Sequence, residues 1–265
     1  MPDLLHVRQP RIIAIANQKG GVGKTTTAIN LGASLAATNR QVLLIDLDPQ
    51  GNASTGLGVG AERRAVTTYD FVLGDASPSD AIQPTGVTGL SIIPATTDLS
   101  SADIELIANE KRSYLLHDAL RQPGMAAFAL DYVLIDCPPS LNVLTVNAMV
   151  AAHSVIVPLQ SEFFALEGLS QLMLTLREVR QSANPGLRIE GVVLTMVDRR
   201  NNLSQQVEAD ARLNLGDLVF TTTIPRNVRL SEAPSYALPV LAYDPNSSGS
   251  EAYRALAREL VARER

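Results

Sequence analysis

Residues 11–26, RIIAIANQKGGVGKTT, hold the side chains and backbone best suited to chemistry. An apolar run over 12–16 stops at Asn17-Gln18. Lys19-Gly20-Gly21-Val22-Gly23-Lys24-Thr25-Thr26 follow, then a helical pattern of Ala28, Ile29, Leu31 and Leu35. Strand, glycine-rich loop and helix in that order form the setting of a phosphate-binding loop. Glycines permit positive φ and let backbone N–H groups approach an anion closely. A helix starting near Lys24 turns its free N–H groups and positive dipole end toward that anion. Lys24 would reach the outer phosphates, and the Thr25 hydroxyl is placed to ligate Mg²⁺. The pattern departs from G-x-x-x-x-G-K-[ST] at its first position, where Gln18 stands, and carries a second lysine, Lys19.

Two acidic strand ends complete the set. The apolar residues 42–45 run into Asp46-Leu47-Asp48-Pro49-Gln50-Gly51-Asn52. Carboxylates next to a buried strand need partners. Beside a nucleotide those partners are Mg²⁺, its waters or the attacking water. Alternation along an extended chain puts Asp46 and Asp48 on one side. The second strand end, Tyr132-Val133-Leu134-Ile135, leads to Asp136-Cys137-Pro138-Pro139-Ser140. Four apolar residues before an Asp form the pattern that holds Mg²⁺, often through water. The prolines make a loop that cannot continue the strand. Cys137, with no histidine near it in sequence, reads as a small buried apolar group.

The elements that must position these loops are short Val/Ile/Leu runs alternating with helical patterns. Strands are expected over 11–17, 42–47, 90–94, 132–136, 154–159, 190–196 and 219–224. Helices are expected over 24–38, 99–121, 142–152, 165–182, 202–214 and 248–263. This alternation predicts an α/β fold with a doubly wound, mostly parallel sheet flanked by helices. Ligands in such sheets sit at the carboxyl ends of strands, where the motifs fall. We expect a short N-terminal extension, 1–10, and a single domain over 11–265.

At 265 residues and 46% apolar composition the chain can bury a substantial core, and it has no apolar run long enough to span a bilayer. Its start has no signal-peptide pattern, and the one cysteine excludes internal disulfides and multi-cysteine metal sites within a chain. A cytoplasmic location is the default. The net charge of −5 requires any nucleic-acid contact to come from a local basic patch. Aromatics at 4% argue against base-stacking platforms. His6, His117 and His153 are scattered and read as structural.

The variant loop K-G-G-V-G-K-T-T resembles the deviant phosphate loop of the ParA/MinD group of P-loop ATPases. Further motifs appear in order: L-L-I-D-L-D-P-Q-G-N (43–52), D-C-P-P-S-L (136–141), E-F-F-A-L-E-G-L (162–169), L-T-M-V-D-R-R (194–200), I-P-R-N-V-R-L-S-E-A-P-S (224–235) and P-V-L-A-Y-D-P (239–245). Together, over about 11–262, they resemble the chromosomal ParA/Soj partitioning ATPases.

That resemblance implies a slow, partner-stimulated ATP hydrolase that uses ATP/ADP and Mg²⁺ and forms an ATP-dependent homodimer. Lys19 matches the lysine that reaches the partner subunit's phosphates, and Lys24 the lysine acting in its own subunit. Gly20, Gly21, Val22, Gly23, Thr25 and Thr26 complete the phosphate loop. Asp48 matches the carboxylate required for hydrolysis, with Asp46 second to it, and Asp136 the metal-side acid. Thr25, Asp136 and Asp48 are thus the metal-side residues. Pro225 and Asn227 match an adenine-contacting loop. Arg200 and Arg229 match positions tied to sequence-nonspecific binding of double-stranded DNA, with Arg199 and Arg226 adjacent. A ParB-like centromere-binding protein is the implied partner, and the nucleoid the implied location. Only ten residues precede the first strand, so an operator-reading helix-turn-helix domain is not expected.

A MinD-like membrane-cycling ATPase is the alternative. Its amphipathic tail would be basic on one side, whereas 249–265 has a modest apolar stripe and mixed charges. Iron–sulfur relatives need paired cysteines, and metabolic ligases of the dethiobiotin or cobyrinic-acid type need an acceptor pocket for which no candidate stands out. Residues 60–90 and 97–125 lie outside the diagnostic motifs.

Overall fold

Period-two alternation with apolar residues on both sides determines the architecture. In the computed structural model, which describes residues 9–101, 111–162 and 165–264, seven strands form one sheet. They are β1 (Arg11–Ile15), β2 (Val42–Asp46), β3 (Gln83–Pro84), β4 (Leu90–Ile93), β5 (Tyr132–Asp136), β6 (Ser154–Gln160) and β7 (Arg188–Thr195). Their order is β3-β4-β2-β5-β1-β6-β7. All pairings are parallel except β3 with β4. Ile12, Ala14, Leu43, Ile45, Val133 and Ile135 point to one face and pack with the Val143–Ala151 and Ala165–Ser182 helices. Ile13, Ile15, Leu44, Leu134 and Ile156 point to the other, against the Lys24–Ala36 and Ser248–Arg263 helices. Both faces are dry, which is why the strands read as nearly continuous apolar runs.

Register brings the motifs together. Asp136 of β5 lies opposite Asp46 of β2 on one side and Ile15 of β1 on the other. Adjacent strands are about 4.8 Å apart. The loop following β1 and the acids of β2 and β5 therefore share one edge of the sheet.

The structure departs from the sequence reading in three places. Residues 219–224 are not a sheet strand: they make only isolated bridges, Val192 with Val219 and Val197 with Pro225. The Phe220 and Ile224 N–H groups reach Val192 and Leu194 carbonyls at 2.9 and 2.8 Å. Between them, Thr221 and Thr222 N–H groups donate to the Glu259 carboxylate at 2.7 and 2.9 Å, which interrupts the ladder. The helix expected over 99–121 lies partly outside the described residues, and its described end is the short Leu115–Ala119 helix. The antiparallel β3 and the short helices Asn52–Gly56, Thr68–Leu73 and Pro78–Ala81 were not anticipated.

Candidate phosphate-binding site

The loop after β1 has the backbone that anion binding requires. Gly21 and Gly23 adopt φ of 73° and 86°, a region closed to most side chains. Gly23 caps the Lys24–Ala36 helix, and its carbonyl accepts the Thr27 N–H at 2.9 Å. Two neighbouring strands clamp the loop. Buried Asn17 donates its amide to the Pro158 carbonyl at 2.7 Å and accepts the Lys19 N–H at 3.0 Å. The Thr195 hydroxyl, at the end of β7, donates to the Val22 carbonyl at 2.9 Å. Sequence reasoning missed both. Asn17 was visible as the polar residue that ends β1, but Thr195 had no local signal.

The two lysines differ. Lys24 is buried, and its ammonium folds back to the Lys19 carbonyl at 2.9 Å. Burial lowers its pKa, with the Asp136 carboxylate opposing that shift. Lys19 is partly exposed, and its ammonium lies 3.3 Å from the Glu162 carboxylate. Thr25 and Thr26 are half-buried at the helix start.

The three carboxylates have different surroundings. Asp46, fully buried, accepts the Ser54 N–H and hydroxyl at 2.8 and 2.6 Å and the Asp48 N–H at 3.3 Å. Burial still pushes its pKa up to about 6. Its oxygens are thus already occupied by Ser54 and the Asp48 N–H. Asp48 is 7% exposed and accepts the Gln50 N–H at 3.0 Å. Asp136 is fully buried, and among the described residues neither carboxylate oxygen has a hydrogen-bond partner. Burial, followed by the Asp46 charge, holds its pKa well above the ordinary carboxylate range. The Thr25 hydroxyl opposes that shift without satisfying either oxygen. A divalent cation fits such a donor. Magnesium is commonly held by one or two protein oxygens, with water and phosphates filling the remaining positions. Among the described residues no cluster of three His, Cys, Asp or Glu forms an all-protein cage. Cys137 is buried, its thiol pushed up by burial, and donates to the Ile135 carbonyl at 3.8 Å.

Beyond Gly23 and Thr26 a cavity of about 450 Å³ is lined by Met196, Pro225, Asn227 and Tyr253. Asn227 is largely committed. Its carbonyl oxygen caps the Val228–Glu232 helix through the Arg229 N–H at 2.8 Å, and its amide donates to the Ser248 hydroxyl at 2.8 Å.

Arg199, Arg200 and Arg226 line one groove of about 1020 Å³. Arg254 and Arg258 line it too; in the sequence both count only among the mixed charges of 249–265. Arg200 is exposed and pairs with Asp198 at 3.1 Å. Arg229 does not line this groove and pairs with Glu232 and Asp244 at 2.8 and 3.3 Å. Among the described residues no helix is long and apolar enough to cross a membrane.

Comparison with known proteins bears on this geometry. A family model described as an AAA domain matches residues 10–189. The chromosome partitioning protein ParA of Caulobacter vibrioides is 62% identical over 255 residues, 96% of this chain and 95% of its own. The sporulation initiation inhibitor protein Soj of Bacillus subtilis is 51% identical over 252 residues, 95% of this chain and 98% of its own. A solved structure named cobyrinic acid a,c-diamide synthase from Mycobacterium smegmatis, with bound ADP and magnesium, aligns with a TM-score of 0.82 at 39% identity. It covers 96% of this chain and 95% of that one. Since identity above one half to ParA and Soj runs through nearly all of the sequence and not the loop alone, the chain belongs to the ParA/Soj family of chromosome-partitioning P-loop ATPases.

Proposed function

We propose that this chain is an ATP-driven DNA-segregation switch built as a single ATPase domain over 11–265. The observation that carries the reading is Asp136, a buried carboxylate with both oxygens unpartnered at the loop's edge of the sheet. Backbone N–H groups over 20–26 cradle the phosphates, and Lys24 leaves the Lys19 carbonyl for the outer ones. The Thr25 hydroxyl and Asp136 hold Mg²⁺, with Asp48 on the same side. Magnesium, when bound, offsets charge on the β- and γ-phosphate oxygens. Asp48 orients the attacking water and takes its proton, and the γ-phosphoryl group leaves ADP as inorganic phosphate. Pro225 and the backbone near Asn227 contact adenine in the 450 Å³ cavity.

Lys19 acts across an ATP-dependent homodimer. Its partly exposed ammonium, paired among the described residues with exposed Glu162, supports that role. Two lysines then face the transferring phosphoryl group. The dimer binds double-stranded DNA without sequence preference through Arg199, Arg200 and Arg226 of the groove, with Arg229 outside it. A ParB-like centromere-binding protein stimulates a slow hydrolysis, and the ADP form leaves the nucleoid. By linkage, DNA in turn favours the ATP-bound dimer. The membrane-cycling alternative is weaker, since the Ser248–Arg263 helix turns Tyr253, Leu256 and Leu260 into the core, packed mainly on the Lys24–Ala36 helix, and so its main apolar stripe is already covered. The amide-synthase name of the solved structure comes with 39% identity, against 62% for ParA.

The test is gel retardation of a random-sequence duplex with ATP, ADP or no nucleotide, alongside anionic liposomes. Binding should require ATP, persist in Asp48→Ala and disappear in Arg200→Glu. It should weaken steeply with salt, because phosphate contacts release counterions. Equal retardation with ATP and ADP would end the switch reading. Liposome binding without DNA binding would favour membrane cycling, and neither would favour a metabolic ATP-dependent enzyme.

A further inference from the structure

Away from the nucleotide edge, a second groove of about 460 Å³ lies between the C-terminal half of the Ala165–Ser182 helix and the start of β7. The seven residue steps of β7 from Arg188 to Thr195 place it roughly 23 Å from the phosphate loop. Its floor is apolar. Leu176 and Leu187 are 4% and 1% exposed, and Met173, at 36%, forms one wall. Its rim is basic. Arg177, Arg180 and Arg188 line it, and among the described residues no carboxylate does. Arg177 and Arg180 make no ion pair among the described residues, and Arg188 reaches Glu190 only at 3.9 Å. Glu190 itself is turned inward to Arg11. Two arginines without an ion pair among the described residues, beside a third held only loosely, are conspicuous in a chain of net charge −5.

The geometry points to a docking groove for an acidic amphipathic helix of a partner protein, with its apolar face on Met173, Leu176 and Leu187 and its carboxylates on Arg177, Arg180 and Arg188. An amphipathic helix offers apolar anchors at i, i+3/i+4 and i+7. Met173, Arg177 and Arg180 recur at that same spacing along one side of this helix. Arg presents a planar fork suited to carboxylates. A volume of about 460 Å³ accommodates a few side chains but not a duplex backbone, and phosphate contacts need no apolar floor. Insertion into lipid requires protruding apolar side chains, whereas Leu176 and Leu187 are recessed. This site is independent of the proposed switch, so either could fail without the other.

The test displays a library of 16-residue helical peptides to the full chain. Three anchor positions are drawn from Leu, Ile, Met and Phe, and the remaining positions from Asp, Glu, Lys, Ser and Ala. Selected peptides should be enriched in Asp and Glu over Lys. By fluorescence anisotropy they should bind Arg177→Glu/Arg180→Glu at least tenfold more weakly, with ATP binding and melting temperature unchanged. Replacing the peptide's acidic residues with Lys should restore affinity for that variant, a recovery that misfolding would not produce. The proposal is overturned by a selection with no acidic bias, by peptides indifferent to the double variant, or by Lys-for-Glu peptides that show no recovery. It is equally overturned if anionic vesicles or duplex DNA bind through these arginines while acidic peptides do not.

Discussion

Asp136 is sealed from water beside Asp46, and among the described residues neither of its oxygens has a hydrogen-bond partner. An unmet buried polar group costs about 1–3 kcal/mol, and a charged one more. The site therefore favours cation binding at the expense of ligand-free stability. Asp136→Asn, which removes the charge at constant shape, should raise the melting temperature of the ligand-free protein. It should also abolish the further rise that Mg²⁺ with ATP gives the wild type. Differential scanning fluorimetry with and without both ligands reads this out; an unchanged ligand-induced rise in the variant would remove Asp136 from the metal site. The types and spacing of Lys24, Thr25 and Asp136 were legible because the first two open a helix behind a glycine-rich loop and the third ends an apolar strand. That Asp46 is occupied by Ser54, whereas the Asp136 oxygens have no partner among the described residues, was not, since Ser54 arrives from a separate turn of chain.

At the scale of elements, position depends on contacts between strands that are distant in sequence. The alternating runs made the sheet legible, because burial on both faces leaves a plain apolar signature. The extended stretch 219–224 reads the same way, yet Glu259 of the Ser248–Arg263 helix takes two of its N–H groups. Such competition arises only after folding. Glu259→Ala should therefore speed hydrogen exchange at the Thr221 and Thr222 amides and leave β1 amides unchanged. Uniform protection in both segments would mean that the carboxylate does not hold this stretch. A second inter-element clamp is the hydroxyl of Thr195 on the Val22 carbonyl. Thr195→Val keeps the shape and loses one hydrogen bond, about 1 kcal/mol. ADP should then bind about five- to tenfold more weakly in titration calorimetry. If affinity is unchanged, the loop holds its geometry without β7.

At the scale of the molecule, the sheet has a nucleotide edge and an opposite edge fastened by charge. There Arg11 pairs with Glu190 and, at 2.7 Å, with Glu264, which also accepts the Tyr132 hydroxyl at 2.6 Å. These contacts tie the end of the Ser248–Arg263 helix to β1, β5 and β7. Their partners are more than a hundred residues apart, so no local pattern announced them. His153 sits among the same groups. Its Nδ1 accepts the Ile12 N–H at 3.0 Å, a bond that needs the neutral ring. Burial, then the Arg121, Arg11 and Arg188 charges, lower its pKa below 6.5. As pH falls below 6.5 the unfolded chain takes up a proton that the folded state refuses, so this residue costs stability progressively down to its folded pKa. Above 6.5 it contributes no pH dependence. Asp46 and Asp136, both shifted upward, bind protons in the folded state and act in the opposite direction. The reading is therefore a difference: His153→Gln, whose carbonyl oxygen can accept the same N–H, keeps those acids and removes the imidazole. The stability of the wild type relative to this variant should fall between pH 7.5 and pH 5.5, by up to about 1.4 kcal/mol per pH unit. Urea titrations of both proteins across that range measure it, and a difference independent of pH would show that His153 is protonated equally in the folded and unfolded states.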